Sequence, residues 1–256
     1  MTYYTKAFSS ELDHHFELIF TDARHFVPDC QESSVPADSL TLADFAADLE
    51  ALRMHLNLTK LNLVGHSVHA QIALEYAHQY PDYVGKLIII CGVPYAAAEY
   101  DQLKSNHWNQ QADALRKSTM DSNLVAYNLL KNSIPPDQQF ATSYHYFAPY
   151  NWVDPSYNAQ PILADLRTCP AILGKLFMSL PSKKEITAKI KQLTCPTLII
   201  HGRLDFTVPH TAWEGLPALN PKVTFNLMDS ASHNPQTEGS TVTEFNRLLM
   251  AWLKTK

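Results

Sequence analysis

Short, almost uninterrupted apolar runs alternate along the chain with segments whose apolar residues recur every three or four positions. Lys86-Leu87-Ile88-Ile89-Ile90-Cys91 and Thr197-Leu198-Ile199-Ile200-His201 are the clearest runs. Strands covered by helices on both faces of a parallel sheet read this way. Leu61-Asn62-Leu63-Val64 predicts another strand, as do residues 16–21 (Phe-Glu-Leu-Ile-Phe-Thr) and 223–228. Between them, Leu42, Phe45, Leu49, Leu52 and Leu56 share one helical face, with Thr41 and Asp44 placed to cap its start. Ile72, Tyr76 and Tyr80, with Ala73 and Ala77, predict a second helix that stops at Pro81; Val242, Phe245, Leu249 and Trp252 predict a closing one. The alternation predicts an α/β fold with a mostly parallel sheet flanked by helices.

From about residue 95 to 194 the strand pattern disappears and the chain becomes helical, aromatic and broken by prolines. This stretch is expected to form a helical cap (95–194) inserted into a core made of residues 1–94 and 195–256. Its rings include Trp108, Tyr127, Tyr144, Tyr146, Phe147, Tyr150, Trp152 and Phe177, which suit a lid over an apolar pocket. Any single ring can equally serve only to hold the cap on the core. Trp108, Tyr146 and Phe147, together with His66 of the core, are taken as the substrate-facing residues.

Composition narrows the partners. The 256 residues are 46% hydrophobic and 18% charged, with a net charge of −5, so no clustered basic face is expected and no nucleic-acid partner with it. Four cysteines, Cys30, Cys91, Cys169 and Cys195, show neither a C-x-x-C pair nor zinc-like spacing. They are expected to be free packing thiols in a reducing cytoplasm. No apolar run is long enough to span a bilayer and residues 1–13 carry no apolar signal core, so a cytoplasmic protein without membrane contact is expected.

Chemistry enters at Leu63-Val64-Gly65-His66-Ser67-Val68-His69, where an apolar strand breaks at a Gly-x-Ser turn and passes into a helix. Such an elbow lifts a serine hydroxyl clear of the backbone and aims the first helical N–H groups at whatever the serine attacks. A serine at a helix start is also a common N-cap, so the segment alone leaves both readings open. Asp205 follows one predicted strand and His233 the last one. Strand carboxyl ends of a parallel sheet share an edge, so a nucleophile, an acid and a base distant in sequence can converge there. A serine hydroxyl needs that company: an imidazole takes its proton, and a carboxylate fixes the imidazole tautomer.

With these phrases, and with Asp48-Leu49-Glu50-Ala51-Leu52-Arg53, Ala73-Leu74-Glu75-Tyr76-Ala77, Ile199-Ile200-His201-Gly202-Arg203-Leu204-Asp205 and His233-Asn234-Pro235, the chain resembles the α/β-hydrolase superfamily. Within it, the similarity is to the cap-bearing group that includes prolyl aminopeptidases and related esterases. The resemblance implies Ser67 as nucleophile, His233 as general base and acid, Asp205 as orienting carboxylate and the Val68 N–H as an oxyanion donor. It implies no metal and no organic cofactor. His66 and His69 sit three apart, but no carboxylate or cysteine nearby completes a ligand set.

Three departures from the family pattern carry consequences. The family's His-Gly loop, which supplies a second oxyanion donor, has no counterpart, since Met1-Thr2-Tyr3-Tyr4 already resembles the helix that follows it. The strand before that helix is missing too. Three outcomes are open: its neighbours pair directly, another chain or segment fills the gap, or the sequence starts at an internal methionine. Residues 22–27 read Asp-Ala-Arg-His-Phe-Val where the family commonly has Asp-x-Arg-Gly-x-Gly, and His69-Ala70 stands where Gly-Gly is usual. An imidazole at 69 predicts a wider helix–strand crossing or a shifted elbow.

The leading expectation is a serine hydrolase that cleaves a small, partly apolar ester or amide through an acyl-enzyme, weakened by the lost oxyanion donor. A prolyl aminopeptidase-like peptidase is the alternative within enzymes; it needs an acid for the substrate amine, with Glu99, Asp101, Asp113 and Asp121 as candidates. A non-catalytic binding protein on the same fold is the alternative outside them. A homo-oligomer joined at the sheet gap is a further expectation.

Overall fold

The computed structural model describes residues 2–26, 39–96 and 98–254. Four strands, β1 (Leu61–His66), β2 (Val84–Ile90), β3 (Thr197–Gly202) and β4 (Val223–Met228), form one sheet in that order, every pair parallel. Strand order in space equals strand order in the chain, so each connection crosses over and lays a helix or an insertion against the sheet. Every residue of β3 is buried, as its uninterrupted apolar run requires.

The two sheet faces bury separate halves of each strand. Leu63, Leu87, Ile89 and Ile199 meet Ala73, Leu74 and Ala77 of α3 (His69–Gln79) and Ile186 and Ile190 of α10 (Lys183–Gln192). Helix α2 (Leu42–His55) packs outside α3, its start fixed by the Asp44 carboxylate, which accepts from the Thr41 N–H at 2.8 Å. On the other face, Ile88, Ile90, Leu198 and Ile200 pack with Leu12 and with Phe245 and Leu249 of α11 (Val242–Leu253).

Residues 16–21 are not a strand, contrary to their pattern. Phe16 and Leu18 pack against the cluster of Ile88, Ile90 and Phe245, yet the backbone there belongs to no ladder. A strand exists only by pairing, and no described strand lies beside β1 on the side away from β2. Asn62 and Val64 of β1 are exposed, Val64 to 47%.

Between β2 and β3 the described chain is helical: α4 (Ala98–Gln111), α5 (Ala114–Leu130), α6 (Gln139–Tyr146), α7 (Ala148–Asn151), α8 (Gln160–Leu163), α9 (Pro170–Met178) and α10. The short amino-terminal helix α1 (Thr2–Ala7) docks on this insertion, with Tyr3 and Ala7 buried among Ala141, Ala148, Trp152 and Leu163. No helix among the described residues is long and apolar enough to cross a membrane.

The expectation of four free thiols is corrected at Cys169, which is disulfide-bonded, while Cys91 and Cys195 are free and buried. Cys30 lies outside the described residues. Long sequence separations conceal pairings of this kind, and the thiol argument for a reducing compartment falls with them.

Candidate active site

Ser67 leaves β1 with φ of +55°, a left-handed conformation that costs a serine energy and is held here by its surroundings. Its N–H donates to the Ile90 carbonyl at 3.0 Å, and its own carbonyl accepts from Ala70 and Val93, each at 3.2 Å. The turn is tight because Gly65 lets α3 approach: a Cβ on Gly65 would lie 2.7 Å from the Ala70 Cα. Close approach thus falls on Ala70, and the imidazole of His69 is carried off the strand toward Tyr4 and His25 without a wide crossing. Val68 caps α3, and its N–H enters no backbone–backbone hydrogen bond among the described residues.

Asp205 and His233 meet directly. The Asp205 Oδ2 accepts from His233 Nδ1 at 2.7 Å, and its Oδ1 accepts from the N–H groups of Thr207 at 3.0 Å and Val208 at 2.7 Å. Both residues are fully buried. Burial alone would raise the Asp205 carboxyl; the adjacent imidazole, its hydrogen bond and the Val208 N–H outweigh it and bring the group below the ordinary carboxylate value. An ionised carboxylate can only accept, so His233 carries a proton on Nδ1, and in the neutral ring Nε2 is the lone pair. That Nε2 is buried and has no hydrogen-bond partner among the described residues.

The loop bearing the imidazole is fixed from several sides. Ser232 Oγ donates to the Leu204 carbonyl at 2.8 Å, while the Asn151 carbonyl, at the end of α7, accepts from the His233 N–H at 3.2 Å and the Asn234 Nδ2 at 3.0 Å. Tyr3 of α1 donates to Asn234 Oδ1. His66 Nε2 donates to the His233 carbonyl at 2.8 Å. Cys91, also left-handed with φ of +45°, lies with its Sγ, the Asp205 carboxylate and a His233 nitrogen inside a 4.8 Å cluster. Burial, and then the Asp205 charge, push its thiol up, so it stays protonated while the Asp205–His233 hydrogen bond fills the space between those two residues.

Ser67, Val68 and His233 share the wall of one cavity of about 1080 Å³. Its other walls are aromatic, from α1 (Tyr3, Tyr4), from Tyr95 and Tyr100, and from the insertion (Trp108, Tyr127, Tyr144, Phe147, Tyr150). Trp108 stacks on Tyr150 with centroids 4.3 Å apart. Apart from histidines, the charged lining residues are Asp101 and Lys104.

Two sequence-based site residues need correction. Tyr146 does not line the cavity; it packs on Tyr127 at 5.8 Å, because successive residues at a helix end point about 100° apart and Phe147 takes the inward direction. His66 reaches the wall, but both ring nitrogens are engaged, one with the His233 carbonyl and one with Tyr4, so it orients the site and has no atom left to bind substrate. Trp108 and Phe147 lie in the wall as expected. Tyr3, Tyr4, Tyr95 and Tyr100 were not singled out as pocket residues; only the helix-like start of the chain hinted at the first two.

Comparison with known proteins bears on the fold. Residues 3–240 match the family model described as alpha/beta hydrolase fold. The AB hydrolase superfamily protein YclE of Bacillus subtilis (strain 168) is 24% identical over 253 residues, covering 98% of this chain and 88% of that protein. A proline iminopeptidase of Heyndrickxia coagulans is 25% identical over 226 residues, covering 82% of this chain and 73% of that one. Among solved structures, an alpha/beta fold family hydrolase from Bacillus anthracis str. Sterne superposes with a TM-score of 0.61 at 19% identity, covering 85% of this chain and 76% of the other.

Proposed function

The chain belongs to the α/β-hydrolase family, and from that premise we propose that it is a serine hydrolase acting on a partly apolar carboxylic ester or amide through an acyl-enzyme. The observation that carries this reading is the Asp205–His233 pair, 2.7 Å apart, with His233 and a left-handed Ser67 lining the same cavity. The Ser67 hydroxyl attacks the substrate carbonyl as its proton passes to His233 Nε2, and Asp205 stabilises the imidazolium. The oxyanion takes the Val68 N–H. His233 then protonates the leaving alcohol or amine, and the acyl group stays on Ser67. A water deprotonated by the same Nε2 attacks the acyl carbonyl and releases the acid, returning the proton to Ser67 Oγ.

Aromatic walls support a substrate with an apolar, ring-sized acyl or leaving group. A second reading, cleavage of an amino-terminal residue, is favoured by one acid: Asp101 faces the cavity, whereas Asp113 is committed to capping α5, accepting from the Arg116 N–H at 2.7 Å. The relative named proline iminopeptidase agrees with that alternative. Asp121 is exposed outside the cavity wall, and the Glu99 side chain lies outside the description.

A fluorophosphonate probe tests the main reading. Adduct formation on Ser67, abolished in Ser67→Ala and slowed in His233→Ala, is the expected result. A folded protein that never reacts would identify a binding protein on a hydrolase fold. Comparing p-nitrophenyl butyrate with proline p-nitroanilide separates esterase from aminopeptidase, and Asp101→Asn should raise KM for the second only.

A further inference from the structure

His25 Nε2 lies 3.0 Å from His69 Nε2; His69 Nδ1 lies 3.0 Å from the Tyr4 hydroxyl; the same hydroxyl lies 3.2 Å from His66 Nδ1; and His66 Nε2 lies 2.8 Å from the His233 carbonyl. Four side chains from four segments therefore form one unbroken row that ends on the backbone of the imidazole bearing the free Nε2. We infer that this row is a hydrogen-bond relay of fixed direction and that His25, His69, Tyr4 and His66 are positioning residues for His233. The inference rests on the hydrolase reading for its catalytic consequence but not for its geometry.

The direction follows from one end. A carbonyl only accepts, so His66 must carry its proton on Nε2 and leave Nδ1 as a lone pair. Tyr4 then donates to His66 Nδ1, and its oxygen accepts from His69 Nδ1–H. His69 Nε2 is left as an acceptor, and His25 Nε2–H donates to it. The last atom, His25 Nδ1, must be a bare lone pair. It is buried with no hydrogen-bond partner among the described residues, the state that costs least for an acceptor and that an N–H would rarely occupy. Were Tyr4 to donate to His69 instead, His66 Nδ1 would face the phenol lone pairs and His25 would bury an orphan N–H.

Neutral imidazoles are required throughout, and burial supplies them: it holds His25 down to about 4 and, with His233 nearby, His66 down to about 3, and it keeps His69 well below its ordinary value. The rings are packed as well as bonded. His25 stacks on His69 at 5.1 Å, and Tyr4 stands edge-on to His69 at 5.8 Å and to His66 at 5.9 Å. His66 lies 4.8 Å from the His233 ring, so holding His66 holds the imidazole that it touches.

Long-range ¹H–¹⁵N spectra of histidine-labelled protein near pH 7 read the tautomers without any substrate. Expected are Nε2–H for His25 and His66 and Nδ1–H for His69; Nε2–H at His69 overturns the relay. In Tyr4→Phe, the low-field Nδ1–H resonance of His233 should broaden, and kcat for p-nitrophenyl butyrate should fall about tenfold with KM within twofold, the loss of roughly one hydrogen bond. An unchanged His233 resonance overturns the positioning role. His69→Asn, which returns a donor near the Nδ1 position, should keep more of kcat than His69→Ala; equal losses count against the relay. If wild-type protein fails to react with fluorophosphonate, the hydrolase reading falls, whereas the tautomers and the His233 resonance still decide the relay.

Discussion

The imidazoles of His25 and His69 lie stacked, 5.1 Å apart and 12° from parallel, with their Nε2 atoms 3.0 Å apart. One closes a short loop after the extended segment and the other begins α3, and each fills space beside the other that a glycine would leave empty. Removing either ring should strand its partner as an unpaired polar group in a buried site. His25→Ala and His69→Ala should each lower stability by about 1–2 kcal/mol, and the double variant by clearly less than the sum, with a coupling of about 1 kcal/mol. Urea unfolding of the four proteins measures it. Strict additivity would mean the rings are merely adjacent.

The same pair marks where sequence reading stops. Each histidine is visible in the chain as a residue in an unexpected place, but no periodicity ties a loop residue to a helix start more than forty positions away. Ser67, Asp205 and His233 could be picked out as candidates for the opposite reason: each lies just past an apolar run, and convergence of strand ends is a general property of parallel sheets. The strand expected at 16–21 failed because alternation describes only which face of a segment is buried; whether a neighbouring backbone exists to complete the ladder depends on the rest of the sheet. Cys169 was misread because a disulfide between distant cysteines leaves no local spacing to find.

Asp205→Asn should fold yet lose almost all turnover. The Thr207 and Val208 N–H groups require an acceptor at Oδ1, so the new amide would turn its NH₂ toward His233 Nδ1. His233 would answer by moving its proton to Nε2, where it can no longer accept from a serine. A fall in kcat/KM for p-nitrophenyl butyrate of about 10³- to 10⁴-fold is expected, with a melting temperature close to wild type. A loss below tenfold would remove Asp205 from the mechanism.

Neighbouring rings at the end of α6 should behave differently. Phe147 faces the cavity, whereas Tyr146 lies outside its wall and packs on Tyr127. Phe147→Ala should therefore raise KM for p-nitrophenyl butyrate severalfold, since a buried aromatic contact is worth about 1–2 kcal/mol. Tyr146→Ala should cost stability while leaving KM within twofold. Michaelis constants measured alongside melting curves distinguish the two, and an exchange of these effects would show that the wall has been assigned to the wrong ring.

Glu238 gives the protein a pH-dependent weakness away from the chemistry. Its side chain is 5% exposed; Oε1 accepts from the Val153 N–H, and Oε2 has no hydrogen-bond partner among the described residues. Burial raises its carboxyl from 4.5 to about 7, against the lowering influence of backbone donors and Arg116. A carboxyl raised in the folded state binds its proton there more tightly than in the unfolded chain. Its stabilising contribution is complete below the unfolded value and is lost as pH rises through the folded one, so stability should decline between about pH 4.5 and 7. At pH 8 the ionised group should cost about 3 kcal/mol. Glu238→Gln keeps an acceptor for Val153 and cannot ionise, so its stability should change less across that window and exceed wild type most at pH 8. Urea midpoints at pH 5, 6, 7 and 8 measure the difference; parallel curves for the two proteins would mean that Glu238 is already ionised in the folded chain.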